Sequence, residues 1–291
     1  MNYTIENEVL RLSFRSCGAE LTSIFNKSSK LEYLWNGDSA YWSYHAPILF
    51  PFIGKSMNNQ YRAEGKTFPI KQHGFARTNE FNLLQANKNS ISFELTYNNE
   101  LLDIYPYKFS LIISYTLVGN KIDILYTVNN LDIKPIYYSI GAHPAFMCPL
   151  LAGESLGDYY LEFNKDEALK QMPVTKDGYF SRDTIDFPIT STHIPLCFEL
   201  FKADALVFKN LKSDEISIRS LHHQHGITLK FSQFPYLGIW TKYPNAPFIC
   251  IEPWRGHADY MDFKGDITEK EGVNLLPIGN TSSCKYSVKV F

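Results

Sequence analysis

Two residues in this sequence have the chemistry of proton transfer near neutral pH and neighbours that suit it: His143 and Glu252. His143 lies in Gly141-Ala142-His143-Pro144-Ala145-Phe146, directly after Ile136-Tyr137-Tyr138-Ser139-Ile140. It therefore sits where a strand ends or bulges, and its small neighbours leave room for a ligand beside the ring. Imidazole titrates close to neutrality and is the most frequent general acid or base. Glu252 closes the apolar run Phe248-Ile249-Cys250-Ile251, which reads as a central strand that Pro253-Trp254 then ends. Burial there disfavours the ionised carboxylate and suits a general base. The bland alternatives are a core histidine bonded to a backbone carbonyl and a structural ion pair of Glu252 with Arg255, Lys242 or Arg77.

A third segment, Gln72-His73-Gly74-Phe75-Ala76-Arg77, combines an imidazole, a glycine that permits close backbone approach and a guanidinium. An extended or turning chain here could aim His73 and Arg77 at one ligand. Trp240 and Trp254 offer flat apolar faces on which a sugar ring stacks, and buried tryptophans of a β core account for them equally. The densest histidine cluster, His222-His223-Gln224-His225, has no Cys, Asp or Glu at ligand spacing in the sequence and reads as a polar hairpin tip. No Gly-x-Ser-x-Gly elbow supports a serine nucleophile, and no cysteine stands in an electropositive loop beside a histidine.

The elements that must position these residues are strands. Leu10, Leu12 and Phe14 alternate with Arg11 and Ser13, and Ile91, Phe93, Leu95 and Tyr97 alternate with Ser92, Glu94 and Thr96. Further strands are expected over 109–117, 121–128, 216–219, 227–231 and 286–290. Turn signals separate them at Val118-Gly119-Asn120, Asn129-Asn130, Lys176-Asp177-Gly178 and Gly279-Asn280. Ala46-Pro47-Ile48-Leu49-Phe50-Pro51-Phe52-Ile53-Gly54-Lys55 reads as an edge strand with a tight exit turn. No segment sustains a helical apolar stripe over three turns, so helices should be one or two turns long, the best candidate being 166–170. The expected fold is all-β: a large antiparallel β-sandwich with only short helices, forming one domain over residues 1–291. Without alternating strand and helix units or a Gly-x-Gly-x-x-Gly turn, dinucleotide-fold and P-loop enzymes are excluded.

The 291 residues carry a formal net charge of −2 with acids and bases intermixed, which leaves no electrostatic footprint for nucleic acid or an anionic membrane. The five cysteines are widely spread without a Cys-x-x-Cys pair, as expected of buried apolar fillers in a reducing compartment. The first residues show no secretory pattern and no apolar run is long enough to span a bilayer, so a cytoplasmic protein, monomer or homodimer, is expected.

Taken in order, Pro51-Phe52-Ile53-Gly54, His73-Gly74-Phe75-Ala76-Arg77, His143-Pro144-Ala145-Phe146 and Ile251-Glu252-Pro253-Trp254 resemble the aldose 1-epimerase (mutarotase) family, and within it the bacterial LacX-type branch. The likeness runs from the Gly18-Ala19-Glu20-Leu21 turn to the last strand. It implies a galactose mutarotase-like β-sandwich that interconverts the α and β anomers of an aldohexose without a metal or organic cofactor. By resemblance, Glu252 is the general base at the C1 hydroxyl, His143 the general acid at the ring oxygen, His73 a hydrogen-bonding partner of the sugar and Asp204 its sugar-binding carboxylate. Galactose mutarotases carry an Asn-Arg pair where this sequence has Asn58-Asn59, so the resemblance leaves Arg77 to supply the guanidinium. Some relatives act on hexose 6-phosphates, and Lys55, Arg77, Lys242 and Arg255 lie near enough to the motifs to receive a phosphate. A sugar-binding module without catalysis is the alternative on the same fold.

Overall fold

Alternation of apolar and polar residues becomes strand wherever the apolar set has a second sheet to face. The computed structural model describes residues 1–188 and 192–291. Its two large sheets are antiparallel throughout. One runs through nine strands in the order His193–Pro195, Tyr159–Phe163, Glu215–Ser220, Ile227–Lys230, Thr281–Val290, Lys121–Asn130, Phe109–Val118, Ser90–Thr96 and Asn82–Ala86. The other runs through Ile185–Asp186, Lys170–Gln171, Leu206–Lys209, Tyr236–Trp240, Phe248–Arg255, Ile140–Ala142 and Ile48–Leu49, with Ala145–Met147 also paired to Phe248–Arg255. A three-stranded sheet of Asn2–Glu6, Leu10–Arg15 and Glu20–Asn26 packs at one side. Inward-facing residues of all three form a continuous apolar core, including Leu12, Phe93, Leu111, Ile124, Ile218, Ile239, Ile251 and Val288.

The expected strands are present and mostly extend a residue or more beyond their apolar runs. The Val118-Gly119-Asn120 turn joins two ten-residue strands, with Gly119 at φ +59° where a side chain would be strained. Ile48–Leu49 is an edge strand, followed by the Gly54 turn at φ +68°. Two local expectations fail. The expected helix over 166–170 is absent: residues 166–169 are irregular and lead into the strand Lys170–Gln171, because the buried Glu167 carboxylate accepts the Ser213 N–H at 2.6 Å and ties the segment across the chain. The α-helix is instead Asn99–Ile104, whose start is fixed by the Asn98 side chain accepting from the Leu101 N–H at 2.8 Å. Asn129 and Asn130 end a strand rather than form a turn, since the Asn130 side-chain amide bonds the carbonyls of Lys134, Leu276 and Pro277.

A buried carboxylate anchors the stretch that leads to the edge strand. Glu20 is 1% exposed, pairs with Arg15, and accepts the backbone N–H groups of His45 at 2.7 Å and Ala46 at 3.0 Å. Glu20→Ala leaves Arg15 and two amides without their acceptor. It should lower unfolding free energy by about 3–5 kcal/mol, read by denaturant unfolding, with Glu20→Gln losing less because it keeps an amide acceptor.

Candidate active site

The strand Phe248–Arg255 is buried on both faces, and its alternation divides two tasks. Ile249 and Ile251 enter the core between the sheets, whereas Phe248, Cys250, Glu252 and Trp254 share the opposite face. On the neighbouring strand Tyr236–Trp240, Leu237 and Ile239 are likewise core, leaving Tyr236, Gly238 and Trp240 on the same side as Glu252. A Cβ at Gly238 would meet the Trp254 ring at 2.7 Å and Glu252 Cβ at 3.3 Å, and one at Gly141 would meet the same ring at 2.8 Å. Trp254 thus lies across a glycine on either neighbouring strand.

Pro253 does not end the ladder. The strand continues to Arg255, pairing Pro253 with Leu237 and Trp254 with Tyr236. On its other side the partner is interrupted between Ile140–Ala142 and Ala145–Met147, and Pro253 falls just past the last ladder pair before that break, Gly141 with Trp254. His143 and Pro144 are that break. The His143 N–H bonds Pro47 O at 3.1 Å, and the ring projects toward Glu252 with Nε2 3.2 Å from Oε2. His143 is 7% exposed and Glu252 2%.

His73 reaches the same place through a left-handed turn. Its φ is +67° and that of Gly74 is +71°, where a Cβ would strike Phe50 O at 2.3 Å. The His73 N–H bonds Gly54 O at 2.9 Å, and Nδ1 accepts the Gly54 N–H at 3.2 Å. That second bond fixes the neutral ring as the Nε2–H tautomer. The His73 and His143 rings meet edge to face with centroids 5.7 Å apart.

These groups line a cleft of about 560 Å³ together with Arg77, Asp204, Trp240 and Trp254. All six site residues singled out in the sequence therefore share one cavity. Asp204 stands exposed ahead of the strand Leu206–Lys209 and caps its own Ala205 N–H at 2.7 Å. Arg77 holds Gln72 O at 2.9 Å and lies 4.9 Å over the Tyr44 ring. Trp240 meets the His143 ring edge to face at 5.8 Å. One contributor escaped the sequence reading: Trp42 stacks on His143 with centroids 4.7 Å apart and planes at 29°. Its signal was the aromatic triplet Tyr41, Trp42 and Tyr44 in a stretch without strand alternation.

Other expected participants lie elsewhere. Lys55 donates to Asp177 O at 2.8 Å, Arg255 bonds the Asn274 side chain at 3.2 Å, and Asn58 and Asn59 do not line the cleft. The His222–His225 turn joins Glu215–Ser220 to Ile227–Lys230, and the fold brings it acids that the local sequence lacks. His222 meets Asp158 at 3.0 Å, and His223 meets Glu154 at 3.3 Å.

Burial governs the electrostatics of the cleft floor. Desolvation and then the Asp204 charge push Glu252 well above the usual carboxylate range. Desolvation, then the Arg77 charge, lowers His143 to about 3, and desolvation with His143 and Arg77 lowers His73 well below the usual imidazole value. Both shifts of the coupled pair point one way: it prefers to carry a single proton and no net charge. Apart from the 3.2 Å approach of His143 Nε2 and the Trp254 side chain beside it, the buried Glu252 carboxyl has no polar contact to offset its desolvation among the described residues.

A model of the aldose 1-epimerase family matches residues 1–273. The chain belongs to that family. Two LacX proteins of Lactococcus lactis subsp. lactis, one chromosomal and one plasmid-borne, are each 38% identical to it over 301 aligned positions, covering 100% of this chain and 99% of theirs. Among solved structures, a galactose mutarotase-related enzyme from Lactobacillus acidophilus superposes with a TM-score of 0.96 at 32% identity, covering 100% of this chain and 97% of that one. A galactose mutarotase-like protein from Lactobacillus casei gives 0.95 at 35% identity over the whole of both chains. This member of the aldose 1-epimerase family has the galactose mutarotase-like β-sandwich, and no helix among its described residues is long and apolar enough to cross a membrane.

Gly238→Ala tests the close packing beneath the carboxylate. The added methyl forces the Trp254 ring to move and should cost about 1–3 kcal/mol. A shift in tryptophan emission should accompany the loss in denaturant unfolding, whereas an unchanged spectrum and midpoint would show that the ring is not held by this contact.

Proposed function

We propose that this protein is an aldose 1-epimerase acting on a free hexose by general acid/base ring opening and closure. The observation that carries the reading is the His143–Glu252 pair, 3.2 Å apart on the floor of a cleft walled by Trp42, Trp240 and Trp254. An aromatic wall takes the apolar faces of a sugar ring, and a buried pair holding one proton supplies both an acid and a base.

In this mechanism the Glu252 carboxylate takes the proton of the C1 hydroxyl while the His143 imidazolium gives its proton to the ring oxygen. The bond between C1 and the ring oxygen breaks, and C1 becomes the aldehyde carbon. The pair is now imidazole and carboxylic acid, the uncharged state that burial favours. Rotation about the C1–C2 bond turns the other face of the carbonyl toward the returning hydroxyl. Closure reverses both transfers: Glu252 protonates the carbonyl oxygen as His143 takes the proton of the attacking hydroxyl. No metal or organic cofactor enters these steps. His73 donates from Nε2 to a sugar oxygen, Asp204 accepts from a sugar hydroxyl at the rim, and Arg77 supplies the guanidinium that Asn59 does not. The whole chain works as one domain in this reading, and its five unpaired cysteines suit a reducing cytoplasm.

The charge balance of the cleft favours an unphosphorylated sugar. Its cationic lining is Arg77 and Lys242, both already donating to backbone carbonyls, Gln72 O and Tyr41 O. Asp204 opposes them with its charge, and the Glu252 carboxyl offers a phosphate no compensating cation. Lys55 and Arg255, which would have completed a phosphate site, are bound to Asp177 O and Asn274.

Two measurements test the reading. Anomer exchange of a hexose should be accelerated by the native protein, and Glu252→Gln or His143→Asn should each slow it by about 10²–10⁴-fold. Binding without acceleration would mean a sugar-binding module, and an unaltered rate in either variant would refute the assigned roles. In parallel NMR exchange measurements, free hexose should turn over at least about tenfold more efficiently than its 6-phosphate, an advantage of one factor-of-ten step in transition-state free energy. A preference for the phosphate would overturn the neutral-sugar assignment.

A further inference from the structure

The strand alternation that delivers Glu252 to the cleft floor also delivers Cys250, two residues earlier on the same face. One ligand atom each from His143, Cys250 and Glu252 lies within 4.8 Å of the other two, and all three residues are buried. Among the described residues this is the one set of three or more His, Cys, Asp or Glu side chains so drawn together. Nothing in the proton-transfer steps uses the thiol. Glu252 Oε2 and His143 Nε2 already face each other at 3.2 Å, so two of the three donors converge on one point before any ion enters.

We propose that His143, Cys250 and Glu252 form a three-ligand site for one thiophilic divalent cation of the zinc class, with the fourth coordination position open to the cleft. The ligand chemistry selects the ion: a thiolate, an imidazole and a carboxylate suit zinc or cobalt(II), whereas magnesium and calcium take oxygen ligands. Metal–ligand bonds of about 2.0–2.3 Å in a tetrahedron place ligand atoms roughly 3.3–3.8 Å apart. Side-chain rotation that closes the present spacing by about an ångström is enough to reach that geometry. Three protein ligands with one open position is the arrangement of solvent-accessible zinc sites. His143 and Glu252 line the cleft, which gives the ion its way in, while Cys250 is fully buried next to them on the strand face that carries Glu252. The thiol proton is released to solvent as the thiolate–metal bond forms, so no oxidant or reductant is involved.

Occupation has a consequence that rests on the proposed function. The ion takes the lone pair of the imidazole and the charge of the carboxylate, the two groups that move protons in anomer exchange. Zinc then acts as a reversible inhibitor competing with the sugar, not as a cofactor. Binding itself is independent of that reading and is tested separately.

The experiment uses the full chain carrying Cys17→Ser and Cys197→Ser, which removes the two thiols that are not fully buried. Titration with cobalt(II) should produce a near-ultraviolet thiolate-to-cobalt band saturating at one ion per chain and abolished by zinc. Adding Cys250→Ser should remove the band and weaken zinc binding in equilibrium dialysis by about tenfold or more. Cys250→Ala serves the same purpose if the serine variant does not fold, and circular dichroism establishes that either is native. No band, or a band that survives loss of Cys250, overturns the site. In the same background, zinc should inhibit anomer exchange in step with occupancy, a chelator should restore it, and rising sugar should relieve it. Full activity with the site loaded overturns the inhibitory role. A loaded site on a protein that never accelerates anomer exchange would instead refute the proposed function and leave the metal site standing.

Discussion

A carboxylate in the middle of a sheet, buried on both faces, is the constraint around which this structure is arranged. Glu252 loses its hydration, among the described residues it forms no ion pair with a Lys or Arg, and a desolvated imidazole lies 3.2 Å away. An uncompensated charge there would cost several kcal/mol. Desolvation raises the carboxyl and lowers the imidazole, so the pair avoids that cost by carrying one proton and no net charge. Much of the nearby backbone follows from putting them in contact. The partner strand must break so that His143 can turn in, and the glycines at 141 and 238 make room for Trp254 beside the acid.

The interruption is affordable because other parts of the fold hold its ends. The His143 N–H finds Pro47 O, and the Ala145 N–H finds His45 O at 2.8 Å, so both sides of the break rest on the stretch that Glu20 anchors. The left-handed turn at His73 and Gly74 leans on the same stretch through Phe50 O and Gly54. A carboxylate that does not line the cleft thereby fixes the backbone against which both histidines are set. Positive φ at His73 is a local cost of order 1 kcal/mol or more, offset by two hydrogen bonds to Gly54 that also choose the ring tautomer.

How much of this could be read in the sequence depended on whether a residue's role is local. The sandwich was legible because alternation over runs such as 109–118 and 121–130 depends only on neighbours in the chain. His143 and Glu252 stood out because an imidazole among small residues and an acid ending an apolar run are each anomalous in place. Trp42 did not, since its stacking on His143 exists only after a loop folds back over a residue a hundred positions away. The basic residues misled for a reason that period-two counting contains. Arg255 follows Trp254, so its side chain leaves by the other face and meets Asn274, and nearness to the motif says nothing of direction. The short helix was misassigned to 166–170 because the Glu167 tether to Ser213 is long-range, while the Asn98 cap that starts the true helix was a local signal passed over.

The aromatic walls bear on the step that the buried pair makes hardest. Burial makes the pair favour imidazole and carboxylic acid, so the proposed ring opening has to start from the less favoured arrangement, imidazolium and carboxylate. Trp42 stacks on the imidazole, so the ring that must become a cation already lies against a π face that attracts one. Such an attraction strengthens as positive charge develops and is weak while the ring is neutral. It therefore acts on the reacting state more than on the resting one, which is the condition for an interaction to accelerate a reaction rather than merely tighten binding.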